Sequence, residues 1–247
     1  MKIIASIQNK EIRAVGKLNT SKGRENQNRF IVEGIRACET LILAKKLRPI
    51  QIYVLQTSNE AAKKFVSPNM ITLVSDQVMG KMSGAETPSG VLGVFEIPTK
   101  PKLDKLSSGL VMAQISDPGN MGTLIRTATA MAYETVVIVG GCDPWAPKVV
   151  QSSAGTIGLV NIFQLSWQEL LDNKKDLNLA ALVVSGGDKP NALKKNSLIV
   201  VGNEAHGMPE EWVQNCTQKI TLEMPGQTES LNVAVAGSIA LYLSKGN

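Results

Sequence analysis

A two-part α/β chain, with a mostly parallel sheet in its second part, is predicted by three observations. Over residues 108–247, short and almost wholly apolar runs such as LVMAQIS, TVVIVGG, LAALVVSGG and LIVVGNE alternate with helical segments. Continuous apolar strands separated by helices are what a parallel sheet needs when helices cover both its faces. Residues 1–98 carry a smaller set of helical and β-favouring runs, and between the two lies IPTKPKLDKLSSG, with two prolines, several charges and little apolar material. That composition marks a linker, assigned to residues 99–107. The length of 247 residues accommodates two modest domains, and 43% hydrophobic with 19% charged residues is ordinary for a folded globular chain.

In the first part, residues 8–48 read mostly as helix. NKEIRAVGKL has apolar residues near three- and four-residue spacing, GIRACETLILAKKL repeats the pattern more strongly, and the polar NTSKGRENQNR between them reads as turns. QIYVLQ, ITLVS and VLGVFEIP follow as three short strands. In the second part the order is strand LVMAQIS, helix GTLIRTATAMA, strand TVVIVGG, helix KVVQSSAGTIGL, strand NIFQL and helix WQELLDN. It continues with strands LAALVVSGG, LIVVGNE and ITLEMPG and ends on the helix LNVAVAGSIALYLSK. No internal repeat is present.

Charge is divided unevenly. Residues 1–100 hold 15 Lys/Arg against 8 Asp/Glu, whereas residues 101–247 hold 11 against 13. The densest basic stretch includes Lys22, Arg24, Arg29 and Arg36, and it fits either a phosphate-binding surface or a solvated helix face. Three cysteines, Cys38, Cys142 and Cys216, lie far apart without CxxC spacing, and there is one histidine, His206. A zinc site, another metal cluster or a conventional triad is therefore not expected. The longest apolar stretches fall far short of the roughly 18 residues of a spanning helix, and the start lacks a signal-peptide pattern, so a cytoplasmic protein without membrane contact is expected.

In open sheets of this kind the ligand sits beyond the carboxyl ends of the strands. Three such loops stand out: DPGN after the strand ending at Ser116, GNEAHGMPE after Val201, and EMPGQTESLN after Leu222. Neither GxGxxG nor GxxxxGK[ST] occurs, so nicotinamide and P-loop fingerprints are absent.

Taken in order, these loops resemble the three motifs of the SpoU (TrmH-like) family of RNA ribose methyltransferases. DPGNMGTLIRTA holds Asn120 and Arg126 at the family's separation. IVVGNEAHGMPEE holds Gly202, Glu204 and Gly207, and MPGQTESLNVAVAGSIALYL holds the Ser230-Leu231-Asn232 core at the start of a helix. FIVEGIRACETLI and TPSGVLGVFEIP resemble the substrate-binding domain that many members carry in front. The resemblance implies S-adenosylmethionine as cofactor, transfer of its methyl to a ribose 2′-hydroxyl, a trefoil-knotted (SPOUT) second domain, a ribosomal-protein-like RNA-binding first domain, and a homodimer. RNA is the implied partner, ribosomal more than transfer RNA. One departure is Gln151, where the family commonly has arginine.

Methyl transfer from a sulfonium needs alignment and exclusion of water, while a neutral ribose hydroxyl also needs help in losing its proton. On this reading the catalytic set is Asn120, Arg126, Glu204, Ser230 and Asn232. Arg126 is expected to anchor an RNA phosphate and favour the emerging alkoxide electrostatically, since a guanidinium with pKa above about 12 is a poor base. Otherwise it is a helix-surface arginine paired with a carboxylate. Asn120 suits a helix cap as well as a catalytic contact. Glu204 orients Arg126 or accepts from the ligand, unless it is a plain turn residue, and His206 reads as a loop residue rather than a base. Ser230 and Asn232 suit a cap or a polar ligand site; the resemblance puts them beside cofactor and ribose. The implied cofactor contacts are Val201, Gly202, Asn203, Glu204, Gly207, Leu222, Met224, Gly226, Ser230 and Leu231. Gly202 and Gly226 allow close backbone approach, and Met224 and Leu231 either pack on adenine or serve the core. RNA contacts are expected at Lys22, Arg24, Arg29, Arg36 and Arg126. The competing readings are a non-catalytic RNA-binding or ribosome-assembly factor on the same fold, and an unrelated nucleotide-dependent enzyme, which the missing glycine fingerprints disfavour.

Overall fold

The computed structural model describes residues 2–84, 87–227 and 230–245. They form two compact units. One comprises the residues up to Thr99 together with Asp143–Leu159; the other comprises Lys100–Cys142 and the residues from Val160 onward. The chain therefore passes between units three times. The contiguous domain read from the sequence over residues 108–247 places 143–159 in the second unit, whereas their contacts lie in the first.

The first unit runs β1 (Lys2–Ile4), α1 (Lys10–Gly16), α2 (Ser21–Gln27), β2 (Arg29–Glu33), α3 (Ile35–Ala44), β3 (Pro49–Val54), α4 (Asn59–Ala62), β4 (Ile71–Val74), α5 (Asp76–Ser83) and β5 (Val91–Glu96). Its sheet has the order β1-β4-β3-β5-β2, with β5 antiparallel to both neighbours and the other pairs parallel. Short polar side chains set the helix starts: the Asn9 side chain accepts from the Glu11 N–H, Thr20 from Gly23 and Ser75 from Val78. Ile12, Val15, Leu18, Ile31, Tyr53, Met79 and Leu92 pack one core.

Two elements differ from the sequence reading. RFIVE, inside the stretch read mostly as helix, is strand β2. It is covered on both faces: Ile31 enters the core just named, and the Phe30 ring lies 5.9 Å from Phe95 and 4.9 Å from Trp145. A strand buried on both faces loses the alternation that separates strand from helix. The polar NTSKGRENQNR contains helix α2, whose buried contacts come from Gly23 and Arg24 rather than from apolar side chains.

The second unit contains β6 (Gly109–Ala113), α6 (Pro118–Ala130) and β7 (Thr135–Val139). The chain then visits the first unit through α7 (Pro147–Ser152) and returns as β8 (Asn161–Gln164), α8 (Trp167–Asn173), β9 (Asn178–Leu182), β10 (Ser197–Val201), α9 (Glu210–Gln214), β11 (Gln218–Ile220) and α10 (Val233–Leu243). The strands form one wholly parallel sheet in the order β11-β9-β10-β6-β7-β8. From β6 the chain steps outward to β7 and β8, then crosses to the opposite half, so the order reverses between β6 and β10. That switch point is where open parallel sheets place ligands. The last strand is QKI, which ends at the first residue of the expected ITLEMPG, so the remainder of that run is not strand. α10 packs against α6 and β10, and Gly237 makes this possible: a Cβ there would stand 2.6 Å from Leu124 Cδ2. Among the described residues, no helix is long and apolar enough to cross a membrane.

Candidate active site

Because β6 and β10 are neighbours, with Val201 opposite Met112, their carboxyl ends deliver the first and second loops to one place. α6 starts there. Pro118 occupies its first turn and Asp117 caps it, the carboxylate accepting from the Asn120 N–H at 2.9 Å. The second loop folds back tightly: Asn203 and Gly207 exchange backbone hydrogen bonds of 2.9 and 3.0 Å. Gly202 must be glycine for this, since a Cβ would lie 2.6 Å from the Gly207 carbonyl carbon and 2.7 Å from the Met208 nitrogen.

Glu204 is the hub. Its Oε1 accepts from the Asp117 N–H and the Asn120 side-chain amide, both at 3.1 Å, while Oε2 accepts from the Ser116 N–H (3.3 Å), the Ser116 hydroxyl (3.0 Å) and Asn203 Nδ2 (3.3 Å). Burial alone would raise the Glu204 pKa. The Asn120 amide and the backbone N–H groups of Glu204 itself, Asp117 and Ser116 outweigh it and hold the carboxyl at about 2. Asn120 in turn accepts through Oδ1 from Asn232 Nδ2 at 3.1 Å, and Asn232 Oδ1 caps α10 by accepting from Ala234 and Val235. The three loops are thus joined by one hydrogen-bonded chain of side chains.

A cavity of about 370 Å³ opens beside this chain. Of the residues expected to hold a cofactor, Val201, Gly202, Asn203, Glu204, Gly207, Leu222, Met224, Ser230 and Leu231 line it, and Gly226 does not. Asn120 and Asn232 are not among the lining residues, but Asn120 is bonded to the lining residue Glu204 and Asn232 lies in sequence between the lining residues Leu231 and Val233. Sequence reasoning missed part of the lining, Leu182, Val183 and Val184 at the end of β9, which carry no motif and read as the tail of a strand. It also missed Ser116, a Glu204 partner that sits unmarked before DPGN. His206 lines the cavity, and its N–H serves the loop by donating to Asn203 Oδ1. Thr228 and Glu229 of the third motif lie outside the described residues.

Arg126 is exposed on α6, outside the cavity wall, and among the described residues it has no hydrogen-bond or ion-pair partner. Six residues of helix set it roughly 120° around the axis from Asn120. Glu204 does not orient it within this chain. In the first unit Lys22, Arg29 and Arg36 are exposed. Arg24 corrects the sequence reading: it is 4% exposed, its Nε and Nη2 both donate to Asp143 Oδ2 at 2.9 and 2.6 Å, and Nη1 donates to the Leu18 carbonyl at 2.8 Å. A buried guanidinium must be paired, and this one is consumed in holding α2 to the 143–159 segment. Among the described residues no group of three or more His, Cys, Asp or Glu side chains gathers as a metal site.

Residues 108–242 match the SpoU rRNA methylase family, and residues 9–93 match the MRM3-like substrate-binding domain. The chain belongs to the SpoU rRNA methylase family. It is similar to an uncharacterized tRNA/rRNA methyltransferase of Synechocystis, 30% identical over 97% of this chain and 92% of that one. It also resembles the 23S rRNA (guanosine(2553)-2′-O)-methyltransferase RlmP of Bacillus subtilis, 25% identical with both chains covered in full. The fold is shared with an AdoMet-bound rRNA methyltransferase from Sinorhizobium meliloti, at a TM-score of 0.87 and 21% identity over 99% of this chain and 97% of that one. As a SpoU-family member the protein is a methyltransferase, and its three motif loops meet at the switch point of the sheet.

Proposed function

We propose that the protein transfers a methyl group from S-adenosylmethionine to a ribose 2′-hydroxyl in 23S-type ribosomal RNA. The observation that carries this reading is the joining of the three motif loops around one cavity through Glu204, Asn120 and Asn232. The cavity fits the cofactor. Its volume is within the range of about 300–1,000 Å³ usual for small-molecule sites, Leu182, Val184, Leu222 and Leu231 offer apolar packing for a base, and the Glu204 carboxylate gives the wall a negative charge suited to a cationic group. Held by these residues, the cofactor would supply an electrophilic methyl on a cationic sulfur, the sulfur keeping the electron pair of the broken sulfur–carbon bond while the ribose oxygen gains the methyl and gives up its proton to solvent. The chain's own part is to align the ribose and favour its oxygen as it becomes negative. Arg126, exposed and without a partner among the described residues, anchors an RNA phosphate and contributes positive charge.

Ribosomal RNA as substrate is supported by the name of the Bacillus subtilis relative and by the exposed basic residues of the first unit. A cytoplasmic address is supported by the bacterial rRNA methyltransferases among the relatives. A homodimer is supported by Val235, Ile239, Tyr242 and Leu243, exposed on α10 with Tyr242 at 67%, an apolar strip that a two-fold partner would cover. In such a dimer Arg126 serves the partner's site. The family's knotted path is supported by the passage from β11 at the sheet edge to α10 over β10 and α6.

The deciding experiment is methylation of total RNA from a deletion strain with labelled S-adenosylmethionine, followed by mapping of the alkali-resistant linkage. Label in one 23S position is expected. RNA binding without label would instead make the protein an assembly factor.

A further inference from the structure

Among the described residues, seven other than glycine have a positive φ, between 49° and 62°. Residues with a Cβ populate that region sparsely. Six of the seven have a local reason to do so. Asn28, Lys45, Ala132, Ala154 and Lys175 stand at or just past the ends of helices, where a left-handed residue closes the last turn. Asn196 is of a type whose short polar side chain tolerates the conformation. Gln114, with φ 59°, has neither reason: it follows β6 directly, at the carboxyl end of the sheet.

Its backbone is pinned from both sides. The Gln114 N–H donates to the Val139 carbonyl at 2.9 Å, which extends the ladder between β6 and β7 by one residue. Its carbonyl accepts from Asn203 Nδ2 at 2.8 Å, and the carbonyl of the next residue, Ile115, accepts from the Cys142 N–H at 3.0 Å. A glycine would keep all three bonds without strain, so the turn accounts for the conformation and not for the glutamine. The side chain is exposed, and among the described residues its amide has no hydrogen-bond partner. A rigid mount thus presents a free amide to solvent.

Beside this amide the end of β7 opens into Gly140 and Gly141, both exposed. A Cβ built on Gly140 would meet only the Gln114 Cγ within 4 Å, at 3.6 Å. The place therefore combines a shelf of bare peptide with a side chain that offers a donor and an acceptor next to each other. A flat ring with polar groups along its edge suits both, and a base splayed out of single-stranded RNA is such a ring. Gln114 is one hydrogen bond from Asn203, which lines the cavity, so a base held here is close to a ribose brought to the cavity mouth.

We infer that Gln114 and the Gly140–Gly141 turn form a base-recognition site for the nucleotide whose ribose is methylated, with Gln114 as a specificity-determining residue. The inference rests on the methyl-transfer reading above and adds to it the group that selects the base.

The test uses the full chain and 23S rRNA transcripts that carry each of the four bases at the mapped position. The wild type is expected to favour one base by about tenfold or more in kcat/KM. In Gln114→Ala that preference should shrink to about twofold, with S-adenosylmethionine affinity by calorimetry unchanged. Gln114→Glu has the same size but only accepts, so it should raise the relative rate on guanosine, whose base edge offers two adjacent N–H donors. Gln114→Gly should lose the preference as Gln114→Ala does and melt no lower than the wild type, because it relieves the left-handed backbone. Gly140→Asn tolerates the backbone and covers the shelf, and should lower kcat/KM about tenfold.

A wild type indifferent to the base, or a preference unchanged in Gln114→Ala and Gln114→Gly, would overturn the inference and leave the transferase reading standing. Full kcat/KM in Gly140→Asn would remove the shelf from the site. A wild type that labels no RNA would sink the transferase reading, and the base contact with it.

Discussion

The first unit spreads its charge and the second concentrates its polarity. Lys22, Arg29 and Arg36 lie exposed around a mixed sheet, each able to meet a phosphate with little geometric demand, and the one of the four expected RNA-binding residues there that is buried, Arg24, is withheld from RNA. In the second unit a wholly parallel sheet brings three loops to one switch point, where neutral amides and a single carboxylate interlock. The contrast teaches that holding a polyanion asks only for reachable charge, whereas directing chemistry at one oxygen asks for groups that fix one another's orientation.

That contrast can be broken at several points. The largest effect is expected from Arg126→Ala, a drop in kcat of about 10²- to 10³-fold with cofactor affinity kept because Arg126 is outside the cavity wall; calorimetry beside steady-state kinetics checks both halves. Asp143→Ala should destabilise the protein by about 3 kcal/mol, toward the low end for a broken buried pair because Asp143 is partly exposed. Joint replacement by Arg24→Met and Asp143→Leu should recover most of that in denaturant titrations. Charge reversal of Lys22, Arg29 and Arg36 together should weaken RNA binding about tenfold and leave kcat at saturating RNA intact. The dependence of binding on salt should flatten by roughly 0.7–0.9 in log–log slope for each phosphate that the protein no longer neutralises.

The smallest effect is a pH dependence. Glu204 has a folded pKa of about 2 against an ordinary 4.5, so its stabilising contribution is complete above about 4.5 and fades as pH falls toward 2. Glu204→Gln should flatten the stability profile across that window. A decline that persists unchanged in the variant would assign it to another carboxyl group.

Much of the catalytic unit was legible in sequence because its signals are local. The apolar runs of β6, β7 and β10 are short, rich in β-branched residues and set off by helical segments, which reads as buried strand, and Asp117-Pro118 with Asn120 announced a helix start. The bonds that complete the site were not legible. Ser116 and Glu204 meet across 88 residues, and a serine before DPGN carries no mark of a carboxylate partner. The same holds for Arg24 and Asp143, 119 residues apart, which is why charge density alone put Arg24 on the RNA surface. β2 hid for a different reason: with Phe30 on one face and Ile31 on the other both covered, its pattern matched neither period.

The Asp143–Leu159 excursion bears on how the protein is made. During synthesis the amino-terminal unit emerges first, yet its Phe30 pocket and its Arg24 charge stay open until Trp145 and Asp143 have cleared the ribosome, and by then β6, α6 and β7 have already appeared. The two halves of the nascent chain therefore mature together. A fragment ending at residue 99 would leave an unpaired guanidinium and a bare aromatic face for chaperones to guard.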